Sequence, residues 1–268
     1  MFFDDILVYS KSLVEHVIHL RKVLEILATN KLYAKRSKCM FACKEVEYLG
    51  HVITVEGVHT DPMKVAAMQQ WPILKDIKSL RGFLGLTGYY RKFVKGYGQI
   101  AAPLTALLKK DSFCWSNDVE LAFHQLKDAM AKPPVLALPN FDHPFVVECD
   151  AFGRGIGAMF MQLGRPIAHH NQALKGKNLA LSTYEKELLA LIVGVNRWRA
   201  YLVGRPFTVK TDQQSLKYLL EQKIGTPAQH KWFAKLLGYV FVVDYKKGKD
   251  NLLADALSRK ADFDDCTS

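Results

Sequence analysis

The sequence predicts an α/β (α+β) chain in which five strands alternate with helices over residues 141–260, preceded by a short hairpin region and a run of helices. Three stretches carry that expectation. Residues 144–162, PFVVECDAFGRGIGAMFMQ, hold two apolar runs around a Gly-rich turn, the pattern of a hairpin. Residues 181–202, LSTYEKELLALIVGVNRWRAYL, are apolar at helical spacing, and Ser182 followed three residues later by Glu185 fits a capping box. Residues 207–211, FTVKT, alternate as a strand does, end on Asp212 and precede a helix starting near Ser215.

The earlier elements follow the same rules. Residues 13–32 read as an amphipathic helix closed by Asn30, with the basic stretch KRSKC after it. Gly50 and Gly57 punctuate a hairpin across residues 45–59. Asp61 caps and Pro62 opens a short helix ending near Trp71 and Pro72, and Asp76 or Ser79 starts another expected to reach about Val94. Residues 120–130 form a further helix. Consecutive prolines in KPPVLALP, residues 132–139, stop helix and favour extended chain, so a domain boundary is expected there. The expected organisation is 1–60, 61–140, 141–260 and a frayed tail at 261–268.

Composition bounds the function. A chain of 268 residues with 49% hydrophobic content has enough apolar material for about two cored domains. Lys and Arg number 37 against 26 Asp and Glu, a net charge of +11 that favours polyanionic partners. The longest apolar run, residues 188–193, is far short of the roughly 18 residues that span a bilayer, and no signal peptide is read at the N-terminus. Five unevenly spaced cysteines fit reduced thiols in an intracellular, cytoplasmic or nuclear setting, and Cys39 and Cys43 lack the second pair a zinc site needs.

Four acids stand where local structure suggests chemistry. Asp150 lies at the end of the first apolar run, Glu187 within the long helix, Asp212 after the alternating strand, and Asp255 inside a last helix begun by Asp250 or Asn251. Each has an ordinary alternative, since Asp at a strand-to-helix turn is often a cap and most charges are solvated. Glu185 has the capping role available to it. Glu187 has no such duty and shares a helix side with Leu191, Gly194 and Trp198, so it is preferred, with Glu185 as the fallback. Phosphodiester hydrolysis by paired cations roughly 3.5–4 Å apart needs several carboxylates converging from different elements.

The order of these patterns resembles the ribonuclease H domain of reverse transcriptases. ECDAFGRGIGAMF, LSTYEKELLAL, KTDQQSLKYLLEQ and NLLADALSR are similar to successive blocks of the gypsy class of LTR retrotransposon polyproteins. In the front half FFDDILVYS resembles a palm motif of the reverse transcriptase, YLGHVITVEGV its primer-contacting hairpin and LRGFLGLTGYYRKF its thumb. The resemblance implies a mixed five-stranded ribonuclease H-like sheet, a partial palm carrying Asp4 and Asp5, and a thumb and connection. It also implies that Asp150, Glu187, Asp212 and Asp255 hold Mg²⁺ or Mn²⁺ for cleavage of the RNA strand of an RNA:DNA hybrid.

Nucleic-acid contacts are expected from Arg91, Lys92, Lys217, Lys231, Lys235 and Trp232, basic and aromatic residues suited to a phosphate backbone and stacked bases. A complete reverse transcriptase subunit is a further expected partner. The sequence departs from the family in three places. Little precedes Asp4 and Asp5, so no polymerase activity is expected of this chain by itself. Phe152 stands where the family has a small hydroxyl residue. No His closely precedes Asp255, and His169, His170 and His230 read as surface histidines. A catalytically inactive nucleic-acid-binding remnant is the alternative reading, and a DNA-cutting nuclease on the same sheet is a second.

Overall fold

A computed structural model describes residues 5–153, 155–218 and 232–246, with only the backbone at residues 152, 217 and 218. Two compact units meet in sequence between Asp61 and Pro62.

In the first unit, helix α1 (Leu13–Thr29) starts where the Ser12 hydroxyl accepts the Glu15 amide at 3.2 Å, and Asn30 closes it as expected. The hairpin expected over 45–59 is a three-stranded antiparallel meander: β1 (Val46–Tyr48), β2 (His51–Thr54) and β3 (Gly57–Thr60). Two turns rather than one explain the difference. Leu49 and Gly50, at φ 47° and 68°, join β1 to β2 in the left-handed conformation that two-residue hairpin loops favour.

The second unit opens with helices α2 (Pro62–Gln69), α3 (Ile77–Tyr89), α4 (Tyr97–Ile100), α5 (Ala102–Ala106) and α6 (Asn117–Ala131). Asp76 caps α3 reciprocally with Ser79. That helix stops short of the expected Val94: Tyr90 caps it, and Arg91–Phe93 form a 3-10 turn that buries Phe93 beside Tyr90. α2 and α5 pack on α6 around Phe83 and Phe123, whose ring centroids are 4.8 Å apart.

The chain then forms β4 (Phe145–Phe152), β5 (Gly155–Gln162) and β6 (Arg165–Ala173), two helices α7 (Thr183–Arg197) and α8 (Arg199–Leu202), and strands β7 (Phe207–Thr211) and β8 (Phe241–Tyr245). They make one mixed sheet in the order β6-β5-β4-β7-β8, antiparallel on the β6 side and parallel from β4 through β8. The last helix expected near Asp255 lies outside the described residues. The second unit begins at Pro62 and takes in both the helices and this sheet.

Helix α7 packs directly on β4 and β5. Gly194 makes the approach possible, because a Cβ there would lie 3.1 Å from both Ala158 Cβ and Val147 Cγ1. The Trp198 ring stacks on Phe160 at 5.1 Å. Since side chains alternate along a strand, Val147 and Cys149 meet α7 and Glu148 takes the opposite face, while Asp150, two residues from the strand end, still reaches Glu187 near the start of α7. The 3-10 turn at Arg91–Phe93 and helix α4 contact β6. Among the described residues no helix is long and apolar enough to cross a membrane.

Candidate active site

Glu187 enters the site from the first turns of α7, where Ser182 and Glu185 cap each other: the Glu185 carboxylate accepts from the Ser182 amide at 3.0 Å and its hydroxyl at 2.9 Å. That arrangement occupies Glu185 and leaves Glu187 facing the sheet with Leu191, Gly194 and Trp198, all of them buried. Glu187 is 2% exposed. Its Oε1 accepts the Ala151 amide at 2.8 Å, and the Thr211 hydroxyl donates to Oε2 at 3.4 Å.

Asp150 lies on β4, two residues before the strand ends, and Asp212 immediately follows β7, the parallel neighbour of β4. Both therefore stand at the same end of the sheet. One carboxylate oxygen from each of Asp150, Glu187 and Asp212 lies within 4.8 Å of the other two. Burial, then the charges of Asp212 and Asp150, push the Glu187 carboxyl up to about 9, against the pull of its two hydrogen bonds. Three carboxyl groups held this close repel one another, and an all-oxygen donor set of this kind could hold a hard divalent cation.

The sequence-expected residues fall into three groups. Asp150, Glu187 and Asp212 come together. Asp4, Asp255 and Lys231, with the Lys217 side chain, lie outside the described residues, and so does His230. The remainder are placed elsewhere. Asp5 is exposed in the first unit, where its carbonyl accepts the Tyr48 hydroxyl at 3.1 Å. Arg91 and Lys235 are exposed. Lys92 is half-buried with its Nζ 5.3 Å from the Phe93 ring centre, and burial lowers its pKa. Trp232 is half-buried against the core of the sheet domain.

His169 and His170 are not surface histidines. Both are half-buried on β6; burial and the nearby Lys95 hold His169 at about 4, and burial, Arg197 and Arg91 lower His170. Covering of β6 by residues 91–100 accounts for this, and no local pattern signals it.

Sequence reasoning also passed over Glu148, Thr211 and Lys246. Glu148 had one usable signal, a charge inside the apolar run FVVEC. Lys95 comes from the segment that covers β6, and burial lowers it while the charges of Asp150 and Glu148 raise it.

A mixed five-stranded sheet with an acidic cluster at the adjoining ends of two parallel strands is the framework of this site. Residues 115–209 match the family described as the RNase H-like domain found in reverse transcriptase, and residues 1–53 match reverse transcriptase (RNA-dependent DNA polymerase). The fold is that of foamy viral protease-reverse transcriptase structures. One in complex with double-stranded DNA is 21% identical with a TM-score of 0.77, covering 89% of this chain and 44% of that one. Another in complex with RNA/DNA hybrid is 22% identical with a TM-score of 0.75, covering 89% and 34%.

Along almost its whole length the chain is similar to retrotransposon Pol polyproteins, and parts of it match the reverse transcriptase and RNase H-like domain families. It is 40% identical over 261 residues to the retrovirus-related Pol polyprotein from transposon 297 of Drosophila melanogaster, and 33% identical over 274 residues to that from transposon gypsy of the same organism. Both matches cover 97% of this chain. It spans only 25% and 26% of those relatives' lengths.

Proposed function

We propose that this chain is a ribonuclease H of the gypsy class that cleaves the RNA strand of RNA:DNA hybrids, using Mg²⁺ or Mn²⁺ held by Asp150, Glu187 and Asp212, with Asp255 as a fourth ligand. The observation that carries the reading is the convergence of three carboxylates from β4, α7 and the end of β7 within 4.8 Å. The likeness to a reverse transcriptase fold solved with an RNA/DNA hybrid supports the substrate class. Residues 141–260 are the catalytic domain in this reading, residues 61–140 its thumb and connection, and residues 1–60 a partial palm without polymerase activity of its own.

The chain's residues supply a pre-arranged anionic cup. The Ala151 amide and Thr211 hydroxyl fix both oxygens of Glu187, so this side chain is held before anything binds. Asp150 and Asp212 flank it from neighbouring strands. Divalent metal, when bound, supplies charge neutralisation at the phosphate and activation of water for in-line attack. Selectivity for RNA rests on contacts to 2′-hydroxyls, and the net charge of +11 draws the polyanion in.

Among the described residues Cys39, Cys43, Cys114 and Cys149 are free, and an intracellular setting is part of the proposal. The test is hybrid cleavage by the full chain with Mg²⁺, compared with Asp150→Asn. Cleavage by the parent and its loss in a folded Asp150→Asn variant are expected. Cleavage that survives the substitution refutes the assignment, and binding of hybrid without cleavage by the parent points to the inactive remnant.

A further inference from the structure

Glu148 precedes Asp150 by two residues on the same face of β4 and is 4% exposed. Its two oxygens lie 3.2 and 3.3 Å from the Nζ of Lys246, the first residue after β8. The Lys246 backbone N–H donates to the Thr211 carbonyl at 2.9 Å. Thr211 is the last residue of β7, adjoins Asp212 and gives its hydroxyl to Glu187. One lysine thus joins the main chain beside Asp212 to the side chain nearest Asp150 along the same face of β4. Nothing in the mechanism above uses it.

We propose that Glu148 and Lys246 are a positioning pair that fixes the separation of Asp150 from Asp212 and so sets the affinity of the site for its divalent cation. The inference rests on the reading of the three carboxylates as a metal-holding site. A buried ion pair fits such a role because its geometry is directional, and because an acid as enclosed as Glu148 is costly without its partner. Groups standing behind metal ligands typically change metal affinity or activity 10–100-fold when removed. A charge effect alone has the opposite sign. Taking the lysine away leaves more negative charge near the carboxylates and would tighten cation binding, whereas loss of positioning weakens it.

The experiment is Mn²⁺ binding to the full 268-residue chain, read by the electron paramagnetic resonance signal of the free ion at constant pH. The variants are Lys246→Met, Lys246→Arg and the double Glu148→Gln/Lys246→Met, with Asp150→Asn as control. The double variant removes both charges and orphans neither, so it retains the fold if Lys246→Met alone does not. The expected result is a binding midpoint raised about 10–100-fold in Lys246→Met and in the double variant, and largely recovered in Lys246→Arg. A midpoint in the folded double variant equal to or below the parent's overturns the proposal and leaves the site reading intact. A parent chain showing no Mn²⁺ binding that Asp150→Asn abolishes overturns both.

Discussion

Replacing Glu187 by Gln should remove a specific pH dependence from the stability of the metal-free protein. The folded Glu187 carboxyl sits at about 9 against an ordinary 4.5, because it is buried and faces Asp212 and Asp150. Its folded value lies above its unfolded one. The stabilising contribution is therefore fully present below pH 4.5 and is lost as pH rises through about 9. Within that window each pH unit removes about 1.4 kcal/mol, so going from roughly pH 5.5 to 7.5 costs about 3 kcal/mol from this one group. Gln keeps an oxygen for the Ala151 amide but carries no proton to lose. Urea unfolding with a chelator at both pH values, followed by tryptophan fluorescence, measures the difference. The parent should lose about 3 kcal/mol more than Glu187→Gln, and on the proposed metal-site reading saturating Mg²⁺ should offset the parent's loss. Identical pH slopes in the two proteins would show that Glu187 is not held in a desolvated acidic cluster.

Two further substitutions test how the helix delivers that side chain. Gly194→Val puts a branched side chain where a Cβ alone would come within 3.1 Å of Ala158 and Val147, and overpacking of this kind should lower stability by about 1–3 kcal/mol; an unchanged urea midpoint would mean that α7 and the sheet are less closely packed. Glu185→Gln should preserve hybrid cleavage, because Glu185 caps Ser182, whereas Glu187→Gln should abolish it. The reverse pattern in a cleavage assay would move the chemistry to Glu185.

Much of this site is legible in sequence because each of its three converging acids belongs to a local pattern. The capping box assigns Glu185 to the helix end, and helical periodicity places Glu187 with Leu191, Gly194 and Trp198, the side that does meet the sheet. The alternation of FTVKT ends at the residue before Asp212, as β7 does. Other features need contacts that no window of sequence contains. The helix that halts at Tyr89 is followed by residues that continue a helical apolar rhythm, and only the burial of Tyr90 and Phe93 in the helical core shows why the chain turns.

Glu148 and Lys246 make the point more sharply, being 98 positions apart. They become neighbours only because parallel pairing lays β8 beside β7 and β7 beside β4. An acid pointing away from α7 on an amphipathic strand ordinarily faces water, and alternation alone assigns Glu148 to that face. Its burial depends instead on what lies over the far face of the sheet, where Lys95 arrives from the segment after α3 and Lys246 from the end of β8. Local periodicity can say which way a strand residue points; whether that direction leads to solvent or to a lysine is settled by topology.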